Sequence, residues 1–140
     1  MARRPKAPEA IVIHHLAHVR AALAAAEAAA STVQLLTPPG GGHYAGAAFY
    51  AEIVRIAAAE RPAATYRLTL DCGDDAALAI QALETGWTSL VLAARPKVRS
   101  KIREIASRFA ATVSPSRPGA LDLAESSDPE AACQAFLSAR

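Results

Sequence analysis

Short aliphatic and β-branched runs alternate along this chain with longer stretches whose apolar residues recur every three or four positions. The first run, Ile11-Val12-Ile13, ends at His14-His15. Leu16, Val19, Leu23 and Ala26 then mark one helix face to about Ala30, with Arg20 and Glu27 opposite. Val33 to Thr37 reads as a second strand, stopped by Pro38-Pro39-Gly40-Gly41-Gly42. A helix follows from about Tyr44, with Phe49, Ile53 and Ile56 as its apolar face, and ends near Arg61-Pro62.

The most ordered stretch is Tyr66 to Ala94. A strand to Leu70 meets Asp71-Cys72-Gly73, and Asp74 or Asp75 is placed to cap a helix carrying Ala77, Ile80 and Leu83. Gly86 stands where a helix end needs a left-handed residue, and Ser89 to Leu92 is the next strand. Pro96 opens a helix to about Ala110, with Val98, Ile102, Ile105 and Phe109 as its apolar stripe. Ala111 to Ser114 is a fifth strand and Gly119 to Ala124 a sixth or an extended edge. Asp128-Pro129-Glu130 starts a closing helix that runs to about Ser138 and buries Ala132, Phe136 and Cys133.

Strands alternating with helices predict one α/β domain over residues 11–140, behind a flexible tail over 1–10. Five parallel strands, or six, satisfy the pattern in two ways. One is a flavodoxin-like, doubly wound open sheet, and the other is half of a TIM barrel. Uniformly aliphatic strands such as VQLLT and SLVLA predict a sheet covered on both faces.

Composition narrows the function. The chain is 52% hydrophobic, much of it alanine, and its net charge is +2. Arg3, Arg4 and Lys6 against Glu9 account for that excess, so the body is neutral. Neutrality argues against a nucleic-acid binder, and the basic run Arg95, Lys97, Arg99, Lys101, Arg103 and Arg108 reads as a solvated helix face. The apolar run Leu16 to Ala30 is too short to span a bilayer, and no secretory leader pattern follows the basic start. Cys72 and Cys133 lie far apart without metal-knuckle or disulfide spacing, which fits a reduced cytoplasmic protein.

Three motifs occur in an order that resembles one enzyme family. Tyr44-Ala45-Gly46, Leu70-Asp71-Cys72-Gly73 and Gly86-Trp87-Thr88-Ser89-Leu90-Val91-Leu92 are similar to the Tyr-Ala-Gly helix start, the LDHG strand end and the AGFTSVMID strand of class II fructose-bisphosphate aldolases. Those enzymes are zinc-dependent (β/α)8 barrels, and the likeness covers the amino-terminal half, about Ile11 to Ser114. By this resemblance Asp71 matches the proton-transferring aspartate and Cys72 the first zinc-binding histidine. The other zinc histidines and the glycine-rich phosphate segments belong to the second half, which this chain lacks. Ala93 stands where the family has an aspartate.

Chemistry in such folds sits at the carboxyl ends of the strands. Asp71 and Cys72 are the candidate catalytic residues, with Cys72 preceding a helix start that favours a thiolate. Gly40, Gly41, Gly42 and His43, joined by Arg95, are the candidate contacts for a small anion, because free N–H groups at a helix start attract negative charge. No metal is expected. If zinc were held, His14, His43 and Cys72 would be its ligands. The expected function is a non-catalytic module that binds a small anion at the rim and self-associates as a homo-oligomer, without membrane or nucleic acid. The alternative is a metal-assisted, lyase-like enzyme whose site is completed by a second chain.

Overall fold

The computed structural model describes residues 8–139, so most of the expected amino-terminal tail lies outside it. Its elements, in chain order, are β1 (Ala10–Val12), α1 (Leu16–Ala29), β2 (Thr32–Leu36), a π-helical turn (Gly42–Gly46) and α2 (Ala47–Glu60). β3 (Thr65–Asp71), α3 (Ala76–Glu84), β4 (Ser89–Val91), α4 (Pro96–Ser107) and β5 (Thr112–Ser114) follow. β6 (Ala120–Asp122), a 3-10 turn (Leu123–Glu125) and α5 (Pro129–Ser138) complete it.

Local chemistry explains the boundaries. The Asp75 carboxylate accepts the Leu78 N–H at the start of α3, and the Asp128 carboxylate accepts the Ala131 N–H at the start of α5. Gly86 follows α3 at φ +102°, and the Trp87 N–H returns to the Ala82 carbonyl, closing the helix in the Schellman manner.

The six strands form one parallel sheet in the order β5-β4-β3-β2-β1-β6. Consecutive strands from β1 to β5 are neighbours, and right-handed crossovers between them put every helix on the same face. The packing agrees. Ile11, Leu35, Leu70, Leu90 and Val113 point from the strands into one core shared with all five helices. On the other face Ala10, Val12, Leu36 and Val91 form a separate small cluster to which no helix contributes. This order excludes the flavodoxin-like alternative and realises the half-barrel one. It also corrects the expectation of helices on both faces, because aliphatic strands do not reveal what covers them.

The link from β5 to β6 sets the curvature. A flat six-stranded sheet is about 24 Å from edge to edge, whereas the chain from Ser114 to Ala120 reaches at most about 22 Å. The sheet must therefore curl until its edges approach. The linking segment crosses the concave face, where Ser116, Arg117 and Pro118 lie against Thr69, Ser89 and Thr112 and form a cleft of about 270 Å³. Beside β1, Gly119 accepts the Glu9 and Ala10 N–H groups. Parallel pairing of β6 with β1 matches the way the first and last strands meet in a closed (β/α)8 barrel.

Two helix faces differ from the sequence expectation. α2 buries Tyr50, Ile53, Val54 and Ala57, leaving Phe49 40% exposed. α4 buries Ile102 and Ala106, whereas Val98 and Phe109 are largely exposed. α4 lies over the β5 edge with α3 as its helical neighbour, so its apolar stripe is only partly covered. No helix among the described residues is long and apolar enough to cross a membrane.

The layer assignment predicts a contrast. Leu35→Ala, in the helix-side core, should lower stability by about 2–5 kcal/mol in urea unfolding, and Phe49→Ala should change it by no more than about 0.5 kcal/mol. Equal losses would contradict the assignment.

Candidate active site

The carboxyl end of β3 is the centre of the rim. Asp71 is 4% exposed, on the concave face. Its Oδ1 accepts the Gly73 N–H at 2.7 Å, and Gly73 adopts φ +59° to make that turn. Its backbone N–H donates to Thr37 Oγ1 at 2.9 Å, tying β3 to the end of β2. Its Oδ2 accepts from Arg117 Nη1 at 2.8 Å, and the same nitrogen donates to the Thr37 carbonyl at 2.9 Å. The guanidinium thus enters from the crossing segment and neutralises a buried carboxylate, whose burial unpaired would be costly.

Cys72 faces the other way. Adjacent residues on an extended strand project to opposite faces, so with Asp71 inward the thiol turns out into the helix-side core, where Cys72 is fully buried. Burial first, and then the negative charges of Asp71 and Asp75, push its thiol up to about 12. The geometry does not bring Cys72 and Asp71 to one reacting centre, and a thiol held so far up yields little thiolate.

The glycine segment is packed. Gly41 and Gly42 are buried; a Cβ on Gly41 would stand 3.0 Å from Thr37 Cβ, and one on Gly42 would stand 2.6 Å from Leu78 Cδ2. The Gly41 and His43 N–H groups turn back to the Pro38 and Gly40 carbonyls, and Gly40 takes φ +66°. Helical structure thus begins at Gly42 in a π-turn, two residues before the expected start. His43 Nε2 lies 3.6 Å from Asp75 Oδ2, and Arg95 is exposed ahead of α4, beyond β4.

A second polar cluster occupies the ends of β1 and β6. His14 Nε2 pairs with Asp122 Oδ1 at 2.6 Å, and the His14 backbone N–H donates to His18 Nδ1 at 3.1 Å. The His15 ring lies 3.8 Å from that of His18, which is 5% exposed. Burial, then repulsion from His15 and His14 outweighing attraction to Asp122, brings His18 down to about 4. His18 is therefore neutral near pH 7, with Nδ1 as an acceptor.

Arg117, Asp122 and His18 are the site residues that sequence reading missed. The strand-end aspartate of Ala-Leu-Asp122 repeats the pattern of Thr-Leu-Asp71 and was a usable signal. Arg117 gave none, since it meets Asp71 across 46 positions of chain.

A family profile described as fructose-bisphosphate aldolase class-II matches residues 3–96. The chain belongs to that family. The match runs from before β1 to the first residue of α4, so β5, the crossing segment with Arg117, β6 and α5 lie beyond it. A comparison with curated proteins finds no match. The family's zinc finds no converging donors: His14 is engaged by Asp122, Asp71 by Arg117, and Cys72 faces the core. Among the described residues no group of three histidine, cysteine or carboxylate side chains is arranged to hold a metal ion.

The histidine cluster predicts an acid-side instability. The unfolded chain protonates His18 near its ordinary 6.5, while the folded chain resists until about 4. Its contribution is therefore complete above pH 6.5 and falls away as pH drops toward 4. Urea unfolding across this range should show a weaker pH dependence for His18→Gln than for the parent. Identical dependence in both proteins would contradict the assignment.

Proposed function

We propose that this chain is a non-catalytic member of the class II aldolase family, a cytoplasmic binding module built on a cut-down barrel. One observation carries the reading: the Arg117 guanidinium sits 2.8 Å from the Asp71 carboxylate, the residue that resemblance assigns to proton transfer. A proton-transferring carboxylate must be free to meet substrate. Here it is buried, bonded to Gly73 and Arg117, and covered by the crossing segment. Two free, buried cysteines suit a reducing compartment.

The same reading includes self-association, for which β6 offers an open sheet edge; on the β5 edge the Val113 carbonyl is already taken by Arg103 Nε at 3.1 Å. Small-anion binding finds less support at the glycine segment, whose Gly41 and His43 N–H groups are used internally. Arg95 remains as an exposed cation for such a contact.

The test is a lyase assay with fructose bisphosphate and added zinc, run over a range of protein concentrations while sedimentation reports mass. No cleavage above background is expected at any concentration. Zinc-dependent cleavage that disappears in Asp71→Ala would overturn the reading in favour of an enzyme completed by a second chain.

A further inference from the structure

We infer that the groove between α2 and α3 is a binding site for a neutral, flat, apolar small molecule that carries a carbonyl acceptor. The groove holds about 540 Å³, within the range of small-molecule sites. Ala47, Ala48 and Ala51 form its α2 wall, Leu78 and Ala82 its α3 wall, and Trp87 lines it where the chain enters β4. A second cleft of about 390 Å³ shares Ala51, Thr85 and Trp87 and continues the groove toward the amino-terminal end of the sheet.

Trp87 distinguishes this groove from a mere stripe of small residues. The residue is 7% exposed, yet its indole N–H has no hydrogen-bond partner among the described residues. No fully buried side-chain nitrogen or oxygen among those residues lacks a partner. The Trp87 N–H therefore reaches the surface, and Trp87 lines both clefts. A ligand carbonyl there would satisfy a donor that the protein itself leaves unpaired.

The rim sets the charge of the ligand. Arg55 donates to both Glu52 carboxylate oxygens, at 3.0 and 2.6 Å, so the one ion pair beside the groove is closed upon itself. The Thr85 hydroxyl is held by the Gln81 and Ala82 carbonyls. Along the larger cleft a charged ligand would meet no free opposite charge, whereas an apolar ring system would meet alanine methyl groups and the Trp87 ring; Arg67, which lines only the adjoining cleft, donates to the Thr112 hydroxyl.

Prodan, a neutral naphthalene ketone, is a suitable probe, and Trp87 is the single tryptophan of the chain. Titration should quench Trp87 emission, shift Prodan emission to the blue and saturate at one molecule per chain. Ala51→Phe, at an exposed groove position, should abolish the titration while the melting temperature is kept. Ala48→Leu is a second blocking variant should the larger side chain disturb the helix. Trp87→Phe, followed by Prodan emission alone, should weaken binding about 2- to 10-fold, the loss of one neutral hydrogen bond. Absence of a saturable titration, or one unchanged in both blocking variants, would overturn the inference. So would a parent dimer that ignores Prodan and dissociates in Ala51→Phe, which would assign the groove to a second copy.

Discussion

The short link between β5 and β6 is the constraint on which the rest of the structure depends. Two edge strands of a six-stranded sheet are joined by a segment too short to cross a flat sheet, so the sheet must curl. Curling gives the sheet two unlike faces. The outer one is aliphatic and carries all five helices, while the inner one is small, hydroxyl-rich and roofed by the link. The Thr69 and Ser89 hydroxyls bond at 2.7 Å between neighbouring strands, so polar groups satisfy one another where a full barrel would pack side chains. In effect the fold keeps the first strands of the (β/α)8 plan, returns early beside β1, and closes with a loop where two further βα units would stand.

That closure decides what stands at the carboxyl ends of the strands. The link carries Arg117 to the carboxyl ends of β2 and β3, where one guanidinium nitrogen bonds the Thr37 carbonyl and the Asp71 carboxylate. Asp71 belongs to the part of the chain that matches the aldolase family, and Arg117 does not. A residue from outside the matched region thus pairs with a carboxylate inside it. The neighbouring position is governed by strand alternation, which sends Cys72 into the helix-side core however reactive its motif looks. The outward-facing groove between α2 and α3, with Trp87 at its floor, shares no side chain with Asp71 or Arg117.

Local chemistry was legible in the sequence. Asp75, Asp128, Pro129 and Gly86 mark helix ends with known physical causes, and each stands at such an end in the fold. The family likeness rested on the same central stretch, which the matched region contains. Features that depend on distant chain were not legible. Sheet order needed the position of β6, and the glycine run was read as open when Thr37, Tyr50 and Leu78 pack against it. The face of α2 was read one position out of phase because alanine makes several faces equally apolar, and Tyr50 rather than Phe49 turned inward. The ion pairs at Asp71 and Asp122 join residues 46 and 108 positions apart, which no local pattern reveals.

One ion pair both holds the curled sheet together and occupies the carboxylate at the end of β3. A double-mutant cycle with Asp71→Asn and Arg117→Met, read by urea unfolding, tests it most directly, because asparagine retains the acceptor for the Gly73 N–H. Each single change should be strongly destabilising, and the double mutant should lose less than their sum, with a coupling of about 1–3 kcal/mol. Additive losses would mean that the two side chains merely lie near each other and that the pair does not hold the sheet.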